Sequence, residues 1–232
     1  MPYQPDTQSR LYGRRKGKPL RIRKSTLMQE LLPQLTFDLP PAGMLDFAAL
    51  FPFQPSSVWL EIGFGAGEHL AAQAEKHPRI AMTGCEFFVN GIAGLLDQID
   101  RRQLQNIRIF PSDARRLLQA LPPESLDRAY ILFADPWPKN RHAARRFVQA
   151  ETLAMLAHAM HPGAALFLAT DDPVLQNWTA MQLAASKDFT GTSGPERPAD
   201  WIPTRYEEKA LQAGRTPLYF HYRRGGAGNT PT

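Results

Sequence analysis

From Val58 onward, short apolar runs alternate with longer amphipathic stretches, and that alternation predicts the fold. Runs of strand length fall at Val58–Ile62, 80–85, Ile107–Phe110, 129–134 and 164–169. Helix-like stretches follow them at Glu68–Lys76, 89–103, Ala114–Ala120, 143–160 and 174–186. In the second of these, Ile92, Leu95, Leu96 and Ile99 recur at helical spacing and form one apolar face. Strand followed by helix, five times over, predicts an α/β fold with a mostly parallel central sheet and helices on both faces. After Trp201 a polar segment leads to a last apolar run at 217–222, which reads as a late antiparallel strand. Upstream, Ser25 is expected to start a short helix over 26–32, ended by Pro33, and Pro40-Pro41 reads as a linker. No internal repeat interrupts the pattern.

Composition narrows the class. The chain has 232 residues, 43% of them hydrophobic and 10% aromatic, which is ample for one buried core and excludes wholesale disorder. No stretch approaches the roughly 18 unbroken apolar residues of a membrane span, and the first residues lack the apolar run of a secretory signal. One cysteine, Cys85, excludes an internal disulfide and suits a reducing compartment, so a cytoplasmic protein without membrane attachment is expected.

Charge is unevenly placed. Eight of the 27 Lys and Arg lie between Arg10 and Lys24 with no acid among them; the remaining 19 against 22 acids leave the body at −3. A basic, flexible arm over 1–24 is therefore expected, followed by a single domain over 25–224 and a loose Gly-rich tail over 225–232. A polyanion is the natural partner of such an arm, a solvated tail the plainer reading.

Acids collect where a parallel sheet binds ligands, beyond the carboxyl ends of its strands. Glu61 ends the first predicted strand, Glu86 and Asp113 follow the second and third, and Asp135 and Asp171 follow the fourth and fifth. Asp113 and Asp171 are also placed to cap helices. The first turn carries Gly63, Gly65 and Gly67, and the position of a dinucleotide fingerprint's third glycine is Glu68. An anion at that helix N-terminus disfavours pyrophosphate. S-adenosylmethionine fits better: it has no phosphate, and it offers a sulfonium, an ammonium, a ribose diol and an adenine amine. Glu86 is placed to accept from the diol and Asp113 from the amine. The histidines show no metal-ligand spacing, and no metal is expected.

The fourth strand leads into Asp135-Pro136-Trp137-Pro138-Lys139-Asn140-Arg141-His142, followed by Arg145 and Arg146. Two prolines stiffen a loop that presents a carboxylate and a flat ring, and four Lys or Arg follow within eight residues. This run resembles the bacterial tRNA (guanine-N7-)-methyltransferase family, and the likeness extends over most of residues 57–222. Three departures are Ala134, where a proline is usual, Ala144, which replaces a common cation, and Glu208-Lys209-Ala210, which lacks the usual Arg-Gly.

The resemblance implies a Rossmann-like class I methyltransferase fold, S-adenosylmethionine as methyl donor, and tRNA as partner, with guanosine 46 of the variable loop as target. It implies that Glu61, Gly63, Gly65, Gly67, Glu86, Asp113 and Asp135 line the cofactor pocket, with Asp135 catalytic. Lys139, Asp171, Thr204, Arg205, Tyr206 and Glu207 match substrate-contacting positions. Arg141, His142, Arg145 and Arg146 match an RNA-contacting stretch, and Arg14, Arg15, Lys16 and Lys18 an RNA-binding arm. The plainer reading makes Tyr206 core and pairs Glu207 with an arginine. A methyltransferase for another RNA position, a non-catalytic tRNA-binding protein and a nucleotide-dependent oxidoreductase are the competing functions.

Overall fold

A computed structural model describes residues 12–13 and 15–225, apart from the side chain of Ala48. Arg14, the first eleven residues of the expected arm and the expected tail beyond Gly225 lie outside the described residues. The chain forms two compact units that meet in sequence at Leu121 and Pro122.

The first unit contains α1 (Ile22–Glu30), α2 (Leu32–Leu35), β1 (Val58–Ile62), α3 (Glu68–Lys76), β2 (Ala81–Cys85), α4 (Val89–Arg102), β3 (Ile107–Phe110) and α5 (Ala114–Ala120). Its strands run parallel in the order β3-β2-β1, with Ile62 level with Cys85 and Cys85 level with Phe110. Their carboxyl ends are thus flush. The core is Leu60, Met82, Ile107 and Ile109 from the strands and Ile92, Leu95 and Leu96 from α4, all fully buried, as the periodicity of that helix predicts.

Helix α1 starts four residues before the expected Thr26, although Arg23 and Lys24 in its first turn oppose the helix dipole. Arg23 offsets this by donating from Nε to Asp97 (2.8 Å) and from Nη2 to Asp100 (2.6 Å) on α4. Pro33 opens α2 rather than ending the helical segment, which suits its fixed φ and missing N–H.

The second unit contains β4 (Leu126–Leu132), a 3-10 turn (Asn140–Arg145), α6 (Ala150–Ala159), β5 (Met160–Thr170), α7 (Pro173–Ala185), β6 (Phe189–Gly194), α8 (Arg205–Gln212) and β7 (Leu218–Arg224). Its strand order is β4-β5-β7-β6. β4 and β5 are parallel, and β7 is antiparallel to both of its neighbours, as expected of the late strand.

Three features of the second unit differ from the sequence reading or are missed by it. The single helix over 143–160 is a 3-10 turn, a break and then α6. Gln149 makes the break: its Nε2 donates to the carbonyls of Ala144 and Arg146, while its N–H is accepted by Thr152 Oγ1. Strand β6 escapes the sequence pattern because only Phe189 of its six residues is buried, leaving no apolar alternation. Helix α8 lies in the segment read as merely polar, although Thr204-x-x-Glu207 is a capping-box sequence.

Candidate active site

In the first unit the glycine turn joins β1 to α3. Gly63, Gly65 and Gly67 all have positive φ (74°, 57° and 76°), and Gly67 is the N-cap of α3. A Cβ on Gly67 would meet Leu95 Cδ1 at 2.6 Å, so glycine is required there twice over, by conformation and by space. The turn is pressed against α4. A Cβ on Gly91 would lie 2.4 Å from the carbonyl oxygen of Gly65, and one on Gly94 would lie 3.0 Å from Ala66 Cβ. Sequence reasoning missed this pair, whose signal is two glycines three apart inside an otherwise strongly amphipathic helix.

Glu86, directly after β2, locks the same turn. Its Oε2 accepts from Gly65 N–H (3.0 Å), and its Oε1 accepts from the N–H groups of Phe87 (2.8 Å) and Phe88 (2.9 Å). The carboxylate is therefore fixed in place before any ligand arrives, beside the glycine backbone that a ligand would approach. Glu61 is buried and meets His69. Asp113 is the N-cap of α5, its Oδ1 accepting from Arg115 N–H at 3.0 Å, so the capping reading holds for it. The Cys85 thiol is buried; burial, then Asp113 and Glu86, push its pKa well up, which removes it as a nucleophile.

The basic segment is tied to the N-terminus of α4. Val89 N–H donates to the Arg15 carbonyl (3.0 Å) and Gly17 N–H to Asn90 Oδ1 (2.6 Å). Asn90 Nδ2 donates to the Lys18 carbonyl (2.7 Å). Arg15, Lys16 and Lys18 are thus held at the start of α4, close after Glu86 in the chain, rather than trailing free.

In the second unit β4 ends at Leu132, two residues sooner than predicted, because Phe133 turns the chain with φ 52°. Asp135 therefore sits on a loop. Trp137 is also left-handed, with φ 43°, a strained conformation for a bulky residue ahead of a proline. Arg146 holds it. This residue is buried, donating from Nε to the Pro136 carbonyl (3.2 Å) and from Nη2 to the Trp137 carbonyl (3.0 Å), with its guanidinium 4.6 Å from the Trp178 ring centroid. The expectation that Arg146 contacts RNA is thereby corrected: its donors face inward.

Arg145 lies 4.9 Å over the Trp137 ring, and His142 stands edge-on to it at 5.8 Å. Loss of water, then Arg145, Arg141 and Lys139, lower the His142 pKa from its usual value, which disfavours one more positive charge in the cluster. Lys139 and Arg141 are exposed. Asp135 has an exposed face, yet protein packed around it removes enough water to raise its carboxyl pKa.

Asp171 follows β5 and accepts from Arg215 Nε (2.6 Å); its neighbour Asp172 caps α7 instead. Thr204 caps α8, accepting from Glu207 N–H. Glu207 is buried, and its Oε1 accepts from Tyr219 Oη (2.6 Å) and Arg197 Nη1 (2.9 Å). The Tyr219 pKa is raised by burial and then by Glu207. The plainer reading is half met: Glu207 does pair with an arginine, but Tyr206 is 43% exposed and not core. Arg205, also exposed, stands beside it, its guanidinium 5.9 Å from the Tyr206 ring centroid.

Comparison with known proteins places the chain. Residues 55–219 match the family described as "Putative methyltransferase". The tRNA (guanine-N(7)-)-methyltransferase of Rhodospirillum rubrum is 48% identical over 97% of this chain and 91% of its own length. That of Paramagnetospirillum magneticum is 49% identical over 93% and 92%. Among solved structures, the 16S rRNA methyltransferase KamB superposes with a TM-score of 0.55 at 17% identity, covering 75% of this chain and 90% of its own. An rRNA methylase from Streptococcus thermophilus gives 0.52 at 12% identity, covering 73% and 87%. These last two bear on the fold alone, which is Rossmann-like and class I. The chain belongs to the family of tRNA (guanine-N(7)-)-methyltransferases.

Proposed function

We propose that the protein transfers the methyl group of S-adenosylmethionine to N7 of a guanosine in tRNA, at position 46 of the variable loop, in the cytoplasm. Among the described residues no helix is long and apolar enough to cross a membrane. The observation that carries the cofactor reading is the Glu86 carboxylate clamped on Gly65 N–H. With Glu61 beneath the turn and Glu68 in the first turn of α3, this is an anionic, glycine-lined site. It fits a cationic ligand rich in hydroxyl donors and repels a pyrophosphate. Glu86 would hold the ribose diol, Glu61 the positive end of the ligand, and Asp113 the adenine amine.

When bound, S-adenosylmethionine supplies an electrophilic methyl on a positive sulfur. Guanine N7 has an in-plane lone pair and no proton, so no residue is needed as a base. The work left to the protein is alignment and exclusion of water. Asp135, carried on a loop that Arg146 stiffens, orients the reacting groups and offsets the positive charge growing on the purine. Asp171 and Glu207, each held by an arginine, accept from the guanine N1–H and N2–H. Tyr206 is the exposed ring on which the base stacks, since Arg145 and His142 already cover Trp137. Lys139, Arg141, Arg145 and the tethered Arg15, Lys16 and Lys18 contact phosphates.

Methyl transfer from labelled S-adenosylmethionine to unmodified tRNA, followed by nucleoside mapping, tests this. The expected product is 7-methylguanosine at position 46; a different methylated nucleoside would retire the base assignment and keep the pocket.

A further inference from the structure

Glu61 heads a line of three buried polar side chains, and the other two, His69 and Gln73, have no part in the reaction described so far. Their relative exposures are 3%, 1% and 2%. Glu61 Oε2 lies 2.8 Å from His69 Nδ1, and His69 Nε2 lies 3.3 Å from Gln73 Nε2. His69 and Gln73 are one turn apart on α3 and so share one of its faces, in a helix that also buries Leu70, Ala71 and Ala74. Apolar side chains would fill this volume without the expense of burying polar groups.

The geometry also fixes a direction. An ionised carboxylate only accepts, so the His69 nitrogen facing it, Nδ1, must carry a hydrogen. In that tautomer Nε2 is an acceptor, and the Gln73 amide nitrogen 3.3 Å away can donate to it. Holding Oε2 in this way fixes the rotation of the carboxylate and hence the direction of its other oxygen.

We propose that His69, backed by Gln73, is a positioning residue that aims Glu61 at the positively charged part of S-adenosylmethionine. The proposal rests on the reading of Glu61 as a cofactor contact. His69 touches neither the methyl donor nor the base; it acts through the carboxylate. Nothing in the glycine turn itself requires a histidine at this position.

The test compares His69→Leu with His69→Asn in the full chain. The two replacements have the same branched shape, but the Asn amide hangs from Cγ as Nδ1 does and can still donate to Glu61. Binding of S-adenosylmethionine is measured by calorimetry without tRNA, with thermal unfolding as the check on folding. H69L is expected to weaken binding by about tenfold, the usual scale for losing a hydrogen bond to a buried charge. H69N is expected to stay within about threefold. In turnover, H69L should raise KM for S-adenosylmethionine more than it lowers kcat, with KM for tRNA unchanged.

Equal weakening by both variants, or by neither, overturns the proposal and makes His69 a space-filler. Glu61→Gln separates this from failure of the underlying reading. If E61Q binds S-adenosylmethionine as tightly as the parent, the reading of Glu61 falls and the proposal with it. If E61Q binds weakly and H69L binds normally, the reading stands and the proposal alone falls. Gln73→Leu is the reserve should H69L not fold. It is expected to weaken binding by a smaller factor, and unchanged affinity there counts against the proposal.

Discussion

The guanidinium of Arg146 donates to the carbonyl of Trp137 at 3.0 Å, and it does so where Trp137 is held at a φ of 43°. An arginine that reads as an RNA ligand is thus a brace for a strained loop carrying Asp135. Arg146→Lys removes the fork that spans Pro136 and Trp137 while keeping the charge. It should lower single-turnover methyl transfer by about tenfold or more. The salt dependence of tRNA binding should stay as it is, because the inward-facing guanidinium grips no phosphate. A flatter salt slope would return Arg146 to the RNA-contacting group.

Asp135 predicts a pH profile. Burial disfavours its ionised form, so its proton is released at a higher pH than that of an ordinary carboxylate. If the carboxylate is the working form, turnover rises with pH through that raised pKa and then levels off. Asp135→Asn should be slower at every pH and should lose this acid limb. Rates measured from pH 4 to 8 under single-turnover conditions decide it; an acid limb that survives in the Asn variant belongs to another group.

Gly91 tests the seat of the glycine turn. Gly91→Ala drives a methyl into the Gly65 carbonyl, at 2.4 Å, and backbone cannot swing aside as a side chain does. The expected loss is about 1–3 kcal/mol in unfolding stability, together with weaker S-adenosylmethionine binding because the Gly65 N–H moves off Glu86. Gly94→Ala, with 3.0 Å to Ala66, should lose less on both counts. Denaturant unfolding and calorimetry measure the two effects separately.

The basic segment must be tested without cutting into α1, since Arg23 pairs with Asp97 and Asp100 on α4. Neutralising Arg15, Lys16 and Lys18 together should weaken tRNA binding and flatten its salt dependence. The slope should fall by up to about 0.9 log units for each phosphate the segment no longer neutralises in a duplex region. Asn90→Ala keeps every charge but releases the tether to Gly17 and Lys18. It should weaken binding with little change in slope. An unchanged slope in the neutralised variant would mean that the segment grips no phosphate.

Much of the fold is legible along the chain because burial is periodic where the sheet and its helices form. β1, β3, α3 and α5 fall at the residues predicted, since each carries its own apolar pattern and a clear end. What escapes depends on which partner a side chain finds, and the apolar pattern does not carry that. Asp113 and Asp171 look alike as strand-end acids, yet one caps a helix and the other holds Arg215, 44 residues away. Arg146 faces inward because of Trp178, and α1 begins early because of two aspartates on α4. His69 carries no signal of its own in the sequence until the fold brings it to Glu61.

The strand order of the second unit has a consequence for how the protein is made. β6 precedes β7 in the chain, yet β7 lies between β5 and β6 and pairs with both. On a ribosome, β6 emerges with its place in the sheet still waiting for a strand not yet synthesised. That same strand brings Tyr219, the partner of Glu207. A chain halted before Leu218 therefore lacks more than one strand: it leaves β6 unpaired among the described residues and Glu207 without its phenol. Completion of the sheet and formation of the Tyr219–Glu207 hydrogen bond thus become a single late event.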